Sequence, residues 1–173
     1  MQIKKVFRQE RKFLISGEQY YRFSRQFAEL FKEDSHNGKD GYMVRSLYFD
    51  TLGNKDFEEK LAGVECRRKM RLRIYSPQSR TALLEMKQKQ GSNQLKRSLT
   101  ISREHAEECM KEHYEVLLEY SDPFATECYG VLKTNCYIPK VIVEYKRMAF
   151  VFKENDTRIT FDSNISASKL TGR

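Results

Sequence analysis

The most regular pattern in the chain is an alternation of charged and apolar side chains over residues 67–75. Successive side chains of a β-strand point to opposite faces of its sheet. One face of this stretch would carry Lys69, Arg71, Arg73 and Tyr75, and the other Met70, Leu72 and Ile74. The pattern therefore predicts a strand whose apolar face packs on helices and whose other face is a row of cations.

The same alternation recurs in four more segments, at residues 8–12, 83–89, 143–147 and 158–162. The polar side chains that share a face within them are Arg8, Glu10 and Lys12; Glu85, Lys87 and Lys89; Tyr145 and Arg147; and Arg158 and Asp162. One such strand would simply face water. Five of them predict a curled sheet whose charged faces look at each other across a water-filled lumen, which would hold a polyanion.

Other segments carry the signals of helices and turns. Aromatic residues at helical spacing follow Ser16, which is a good cap, and predict an amphipathic helix over residues 17–34. Further helices are expected at residues 54–61, 103–114 and 123–136, and strands at residues 7–15, 42–50, 64–75, 82–89, 95–101, 141–152 and 157–162. Residues 163–173 show no strong pattern. The predicted fold class is α+β, in one compact domain over residues 1–173.

The net charge of +8 favours an anionic partner such as nucleic acid, a phosphate-rich ligand or an acidic membrane. The basic residues lie in periodic rows and not in tails, which favours a built site. The chain contains four cysteines at irregular spacing, Cys66, Cys109, Cys128 and Cys136, and no membrane-length apolar run. We interpret them as free thiols of a cytoplasmic protein.

The candidate chemistry is that of phosphate held by side chains, because the chain has neither a glycine-rich nucleotide loop nor a serine-nucleophile motif. Arginine offers a fork that matches two phosphate oxygens, and lysine a compact charge. Glu10 and Glu85 could hold a hard divalent metal that also bridges phosphate oxygens. The residues alone leave open the alternative of cross-strand salt bridges on an exposed face.

Seven short motifs also occur in the order typical of a known family. They are Arg8-x-Glu10-x-Lys12, Ser46-Leu47-Tyr48-Phe49-Asp50, Arg71-x-Arg73, Leu84-Glu85-x-Lys87, Lys96-Arg97, Glu144-Tyr145-x-Arg147-x-Ala149-Phe150 and Arg158-Ile159-Thr160-Phe161-Asp162. In these residues the chain resembles the VTC domain, the polyphosphate polymerase domain of the vacuolar transporter chaperone, and its bacterial relatives. That family belongs to the CYTH-like triphosphate tunnel metalloenzymes.

The resemblance implies an antiparallel β-tunnel with helices packed outside. It implies an ATP-dependent polymerase that uses a divalent metal, Mn or Mg, to transfer the γ-phosphate of ATP to a growing polyphosphate chain. By motif match, the catalytic residues would be Arg71, Arg73, Lys87, Arg147 and Arg158. The phosphates of the nucleotide would also contact Arg8, Lys12, Lys96 and Tyr145, and the metal would contact Glu10 and Glu85.

Two departures from the family pattern qualify this expectation. Arg8 replaces the first glutamate of the Glu-x-Glu-x-Lys motif of the broader tunnel enzymes, which favours the polymerase branch. Relatives also continue into another Glu-x-Lys strand that carries a metal-binding glutamate, so the resemblance predicts a domain truncated at its C-terminus and lacking its last strand. Two alternatives remain, a tunnel triphosphatase acting on tripolyphosphate or nucleoside triphosphates, and a non-catalytic polyphosphate-binding module.

The expected partners are ATP and polyphosphate, and nucleic acid is not expected among them. The expected location is the cytoplasm, where a separate membrane partner would bring the protein to the inner face of a membrane.

Overall fold

The computed structural model of the protein describes residues 10–91, 93–152 and 157–170. The strands are β1 (Lys32–Glu33), β2 (Tyr42–Thr51), β3 (Arg67–Ile74), β4 (Thr81–Gln90), β5 (Asn93–Ser102), β6 (Tyr137–Phe152) and β7 (Thr157–Lys169). The helices are α1 (Gly17–Leu30), α2 (Lys55–Leu61), α3 (Arg103–Met110) and α4 (Pro123–Thr134), with a 3₁₀ helix at Tyr114–Glu119. The described strands join in the order β1-β6-β2-β3-β4-β5, and β7 also pairs with β6.

The chain divides into two compact units. Among the described residues, the larger unit holds residues 45–143 and 167–170, and the smaller unit holds residues 10–44 and 144–166. The long strands β2 and β6 each contribute one part to each unit.

The larger unit is built on the register of β3. Met70 lies opposite Phe49 of β2 and Met86 of β4, and Leu72 lies opposite Leu47 and Leu84. Because strand side chains alternate, all of these apolar groups share one face of the sheet. This face forms a buried core with residues of α3, α4 and the 3₁₀ helix, including Cys109, Leu117, Phe124 and Leu132. The predicted division of β3 into an apolar and a cationic face is therefore observed in this unit.

Arg97 on β5 connects the apolar face of the sheet to α4 through contacts with two residues of that helix. Its Nη1 and Nη2 groups each donate to Glu127 at 2.5 Å, and its guanidinium lies 4.8 Å from the centre of the Phe124 ring. Stacking of this kind adds to the ion pair because the aromatic face attracts a cation. Arg97 thus packs against a helix, whereas its neighbour Lys96 belongs to the other face.

Asp56 is a buried acid of the larger unit, 4% exposed. The hydroxyl of Tyr137 donates to its Oδ1 at 2.6 Å, while its Oδ2 accepts no hydrogen bond from the described residues. Burial raises the pKa of Asp56 from 3.8 to about 6, although the Tyr137 hydrogen bond opposes the shift. The folded protein therefore binds this proton more tightly than the unfolded chain does.

The free energy of unfolding of wild type is expected to fall between pH 4 and pH 6 because of Asp56, and Asp56→Asn is expected to abolish that fall. Because the folded pKa of Asp56 lies above its unfolded value, this residue makes folding less favourable as pH rises through that window. The cost at pH 7.5 is on the order of 3 kcal/mol, at about 1.4 kcal/mol per pKa unit. Urea unfolding of both proteins at pH 4 and pH 7.5 measures it. The difference in free energy of unfolding, variant minus wild type, should be more favourable to the variant at the higher pH, and a pH-independent difference would contradict the prediction.

The smaller unit is held by aromatic packing of α1. The helix begins with a capping box, in which the Ser16 hydroxyl accepts from the Gln19 amide and the Gln19 side chain accepts from the Ser16 amide. The centre of the Phe27 ring lies 6.3 Å from that of Phe150 and 5.7 Å from that of Phe161. The aromatic face of α1 therefore packs on β6 and β7 as the helical spacing predicts, but its side chains are only half-buried, and Leu30 is 70% exposed.

Several predicted boundaries differ from the structure. Residues 10–15 form no strand, and Phe13 is 79% exposed, while residues 7–9 lie outside the described ranges. The helix α1 ends at Leu30, four residues before its predicted end, because Lys32 and Glu33 pair with β6. The final strand continues to Lys169, well beyond its predicted end, and most of its residues after Ser163 are exposed. The sequence shows no strong alternation of apolar and polar residues in this extension, because neither face of that stretch is buried.

All four cysteines are free thiols, as predicted. Within the described residues, no helix combines the length and the apolarity that crossing a bilayer would require.

Candidate functional site

The cationic face of the larger unit is organised around one buried carboxylate. Glu85 on β4 lies directly opposite Arg71 on β3 and is 2% exposed. The Nε group of Arg71 donates to Glu85 Oε2 at 2.5 Å, and Arg73 Nε lies 3.9 Å from the same oxygen. The ammonium of Lys96 on β5 contacts Glu85 Oε1. We call these four residues the Glu85 cluster; three strands contribute three cations and one anion to it.

Strand β2 supplies a second set of anchors for the two arginines. The Tyr48 hydroxyl accepts from Arg71 Nη1 at 3.0 Å, and the Ser46 hydroxyl accepts from Arg73 Nε at 3.0 Å. The alternation of residues 42–50 puts Ser46 and Tyr48 on the cationic face, but they were not among the predicted site residues. Their contacts with Arg71 and Arg73 depend on the register between β2 and β3, which cannot be read from the sequence.

Electrostatics keep this cluster ionised. Burial alone would raise the pKa of Glu85, but the charges of Arg71 and Lys96 outweigh burial and hold that pKa below its usual value. Burial would likewise lower the pKa of Arg71, and the charge of Glu85 raises it instead. The cluster therefore presents three full cations against one carboxylate, an excess of positive charge on the sheet face.

A row of lysines runs beside the Glu85 cluster. Lys87 on β4 lies directly opposite Lys69 on β3 and opposite Lys96 on β5. Directly opposed side chains on a sheet have Cβ atoms about 5 Å apart, and like charges at that spacing repel. Lys69 was not among the predicted site residues, although its place in the alternation puts it on the same face. An anion bound across this row would offset the repulsion.

In the smaller unit, Arg147 is paired with a carboxylate. Its Nε and Nη2 groups both donate to Asp162 at 2.7 Å, and its guanidinium lies 5.2 Å from the centre of the Tyr145 ring. Burial would lower the pKa of Arg147, but the hydrogen bond to Asp162 and the Tyr145 hydroxyl raise it.

Arg158 is also engaged. Its Nη2 group contacts Asp34 Oδ2 at 2.7 Å and donates to the Tyr42 hydroxyl at 2.9 Å. Burial would raise the pKa of Asp34, but hydrogen bonds from His36 and the charge of Arg158 lower it. The structure thus holds both of these predicted arginines by ion pairs and tyrosine contacts within one unit.

The remaining predicted residues belong to the N-terminal segment. Lys12 is largely exposed, and its ammonium lies 3.7 Å from Glu10 Oε1. Arg8 lies outside the described residues.

The two acidic residues predicted to hold a metal do not form a metal site in their present environment. Across the described ranges, no group of three or more His, Cys, Asp or Glu side chains is arranged to hold a metal ion. Both oxygens of Glu85 already contact cations, and Glu10 lies beside Lys12. Both carboxylates are therefore engaged by cations in this arrangement, and the assignment of Glu10 and Glu85 as ligands stays a prediction.

The chain is similar to known proteins in its sequence family and in its fold. The model of the VTC domain family matches residues 7–171. Thirteen chains of solved structures match the fold. One is a putative adenylate cyclase from Bacillus halodurans, which is 16% identical, with a TM-score of 0.56 over 94% of this chain and 79% of the other. No curated protein matches the sequence significantly. The predicted α+β fold class, an antiparallel sheet with helices, is confirmed by the observed elements and by this structural neighbour.

Proposed function

Because the chain belongs to the VTC domain family, we propose that it binds linked phosphates on its cationic strand faces and transfers the γ-phosphate of ATP to a growing polyphosphate chain. The single observation that carries this proposal is the Glu85 cluster with its neighbouring row of lysines. Cations from three adjacent strands lie in direct register there. Such an array matches an anion with closely spaced, repeated charges better than it matches a single carboxylate or sulfate.

The residues of the larger unit would bind and orient the phosphates. Arg71 and Arg73, fixed by Tyr48 and Ser46, would donate to phosphate oxygens as rigid forks. Lys87 and Lys96 would neutralise charge that builds up during transfer. Phosphoryl transfer depends mostly on positioning and charge stabilisation, so a fixed cationic surface of this kind can lower its barrier.

Arg147, Arg158 and Tyr145 complete the proposed set, with Lys12 and Arg8 retained from the motif match. We expect the reaction to require Mn or Mg. The free thiols are compatible with the cytoplasmic location that we propose.

A second candidate function is non-catalytic binding of polyphosphate. The pairing of Arg147 with Asp162 and of Arg158 with Asp34 favours it, because two cations assigned to catalysis are already engaged by carboxylates. A tunnel triphosphatase that uses water as the acceptor would need the same cations.

One experiment separates the three functions. The full chain is incubated with ATP and Mn²⁺ or Mg²⁺, and long polyphosphate, released phosphate and tripolyphosphate binding are measured together. Polymer formation is the expected result. Released phosphate without polymer would identify a triphosphatase, and tight tripolyphosphate binding without turnover would identify a binding module. No binding and no turnover with either metal would overturn the proposal.

A further inference from the structure

We propose that Glu85 is a positioning residue that acts through Arg71, Arg73 and Lys96, and that it is not a metal ligand. It fixes the directions from which these three cations meet a triphosphate. This inference rests on the proposed binding of linked phosphates and assigns a role within that site.

The contacts of Glu85 leave little room for a metal. One oxygen accepts from Arg71 Nε at 2.5 Å with Arg73 Nε 3.9 Å away, and the other contacts the Lys96 ammonium. A divalent cation would have to displace at least one of these charges from a carboxylate that is 2% exposed. Displacing a buried partner leaves a charge without compensation, which is costly.

By charge alone, a carboxylate inside an anion-binding surface weakens the binding of an anion. The presence of Glu85 there is explained if it holds the neighbouring cations in a geometry that favours binding. Three neighbouring cations without a shared counterion would repel one another and adopt many rotamers. Ordering a long basic side chain costs conformational entropy. An anchor that orders these chains before the ligand arrives removes that cost from binding.

Arg71 shows what such an anchor achieves. Its Nε is held by Glu85 and its Nη1 by the Tyr48 hydroxyl. Its Nη2 group donates no hydrogen bond to any of the described residues. Because the guanidinium group is planar and its Nε and Nη1 atoms are held, the position of Nη2 is determined as well. Arg71 therefore presents a donor in a defined direction, which suits a phosphate oxygen.

The test is a double-mutant cycle on tripolyphosphate binding, measured by calorimetry in EDTA and again with Mn²⁺. The four proteins are wild type, Glu85→Gln, Arg71→Ala and the double variant. Glu85→Gln adds one net positive charge, so charge counting predicts tighter binding. Positioning predicts binding about 10-fold weaker in EDTA, and a penalty that falls below about 3-fold when Arg71 is already absent, because coupled residues are not additive.

Each other outcome overturns the inference. Unchanged or tighter binding by Glu85→Gln means that the carboxylate positions nothing. An equal penalty with and without Arg71 indicates a general structural role, and a penalty seen only with Mn²⁺ identifies a metal ligand. Absence of tripolyphosphate binding by wild type would overturn the proposed function as well, whereas wild-type binding with an unaffected Glu85→Gln overturns the positioning role alone.

A second variant serves if Glu85→Gln fails to fold, which thermal unfolding would reveal. Tyr48→Phe removes only the hydroxyl that accepts from Arg71 Nη1 and changes no charge. It is expected to weaken tripolyphosphate binding about 3-fold, and to have no effect in the Arg71→Ala background. Equal loss in both backgrounds would contradict positioning through Arg71.

Discussion

Arg71→Ala is expected to weaken tripolyphosphate binding by about 10- to 100-fold, as charge-assisted hydrogen bonds contribute on the order of 1.5–3 kcal/mol. The side chain of Arg71 is only 21% exposed and is fixed from two strands, so little entropy opposes its contact with an anion. Arg73 and Lys96 remain beside Glu85 in the variant, so the buried carboxylate keeps cationic partners and the protein should stay folded. Calorimetric titration and circular dichroism measure the two effects.

The matched control is Lys55→Ala, which makes the same change in net charge. Lys55 lies on α2, its side chain is 57% exposed, and its ammonium is 3.8 Å from Glu59. A general loss of positive charge would weaken both variants equally. If Arg71→Ala and Lys55→Ala bind tripolyphosphate alike, Arg71 does not belong to the site.

Gly41→Ala is expected to lower the free energy of unfolding by about 3 kcal/mol or more, through left-handed strain and overpacking together. Gly41 has a φ of +83°, and a Cβ placed there would lie 2.3 Å from the carbonyl oxygen of Arg147. Relief of that overlap requires the backbone to move either at Gly41 or at Arg147, the residue that pairs with Asp162. Urea denaturation at neutral pH gives the change in stability.

Gly63→Ala isolates the strain from the overlap. Gly63 has a φ of +71° but no atom within 4 Å of the added Cβ, so this variant should lose only about 1–2 kcal/mol. Equal losses at the two positions would show that the approach of Gly41 to Arg147 contributes nothing to stability.

The sequence predicted the elements of the larger unit well because one face of each strand is mainly apolar and the other mainly polar or charged. Alternation assigned Arg71, Arg73, Lys87 and Lys96 to a single face, and the observed register agrees. Alternation cannot state which residue stands opposite which, since that depends on how far each strand is shifted along its neighbour. The pairing of Glu85 with Arg71 was therefore beyond sequence reasoning, and a carboxylate among cations was interpreted as a metal ligand.

The smaller unit was harder to predict for two physical reasons. Arg147 and Arg158 were placed by motif resemblance, but their ion pairs with Asp162 and Asp34 join residues distant along the chain. Most of the second half of β7 is exposed, so no apolar periodicity marks it as a strand and only its pairing with β6 defines it.

The adjacent cations Lys96 and Arg97 have a consequence for the alignment of β5. A shift of this strand by one residue would exchange their faces. Because both carry the same charge, Coulomb attraction to Glu85 and Glu127 would hardly distinguish the wrong alignment from the right one. The shape of the guanidinium would, since a lysine can neither stack flat on Phe124 nor give two parallel N–H groups to Glu127. This dipeptide therefore adds a preference based on side-chain shape to an alignment that the buried Leu99 and Ile101 already favour.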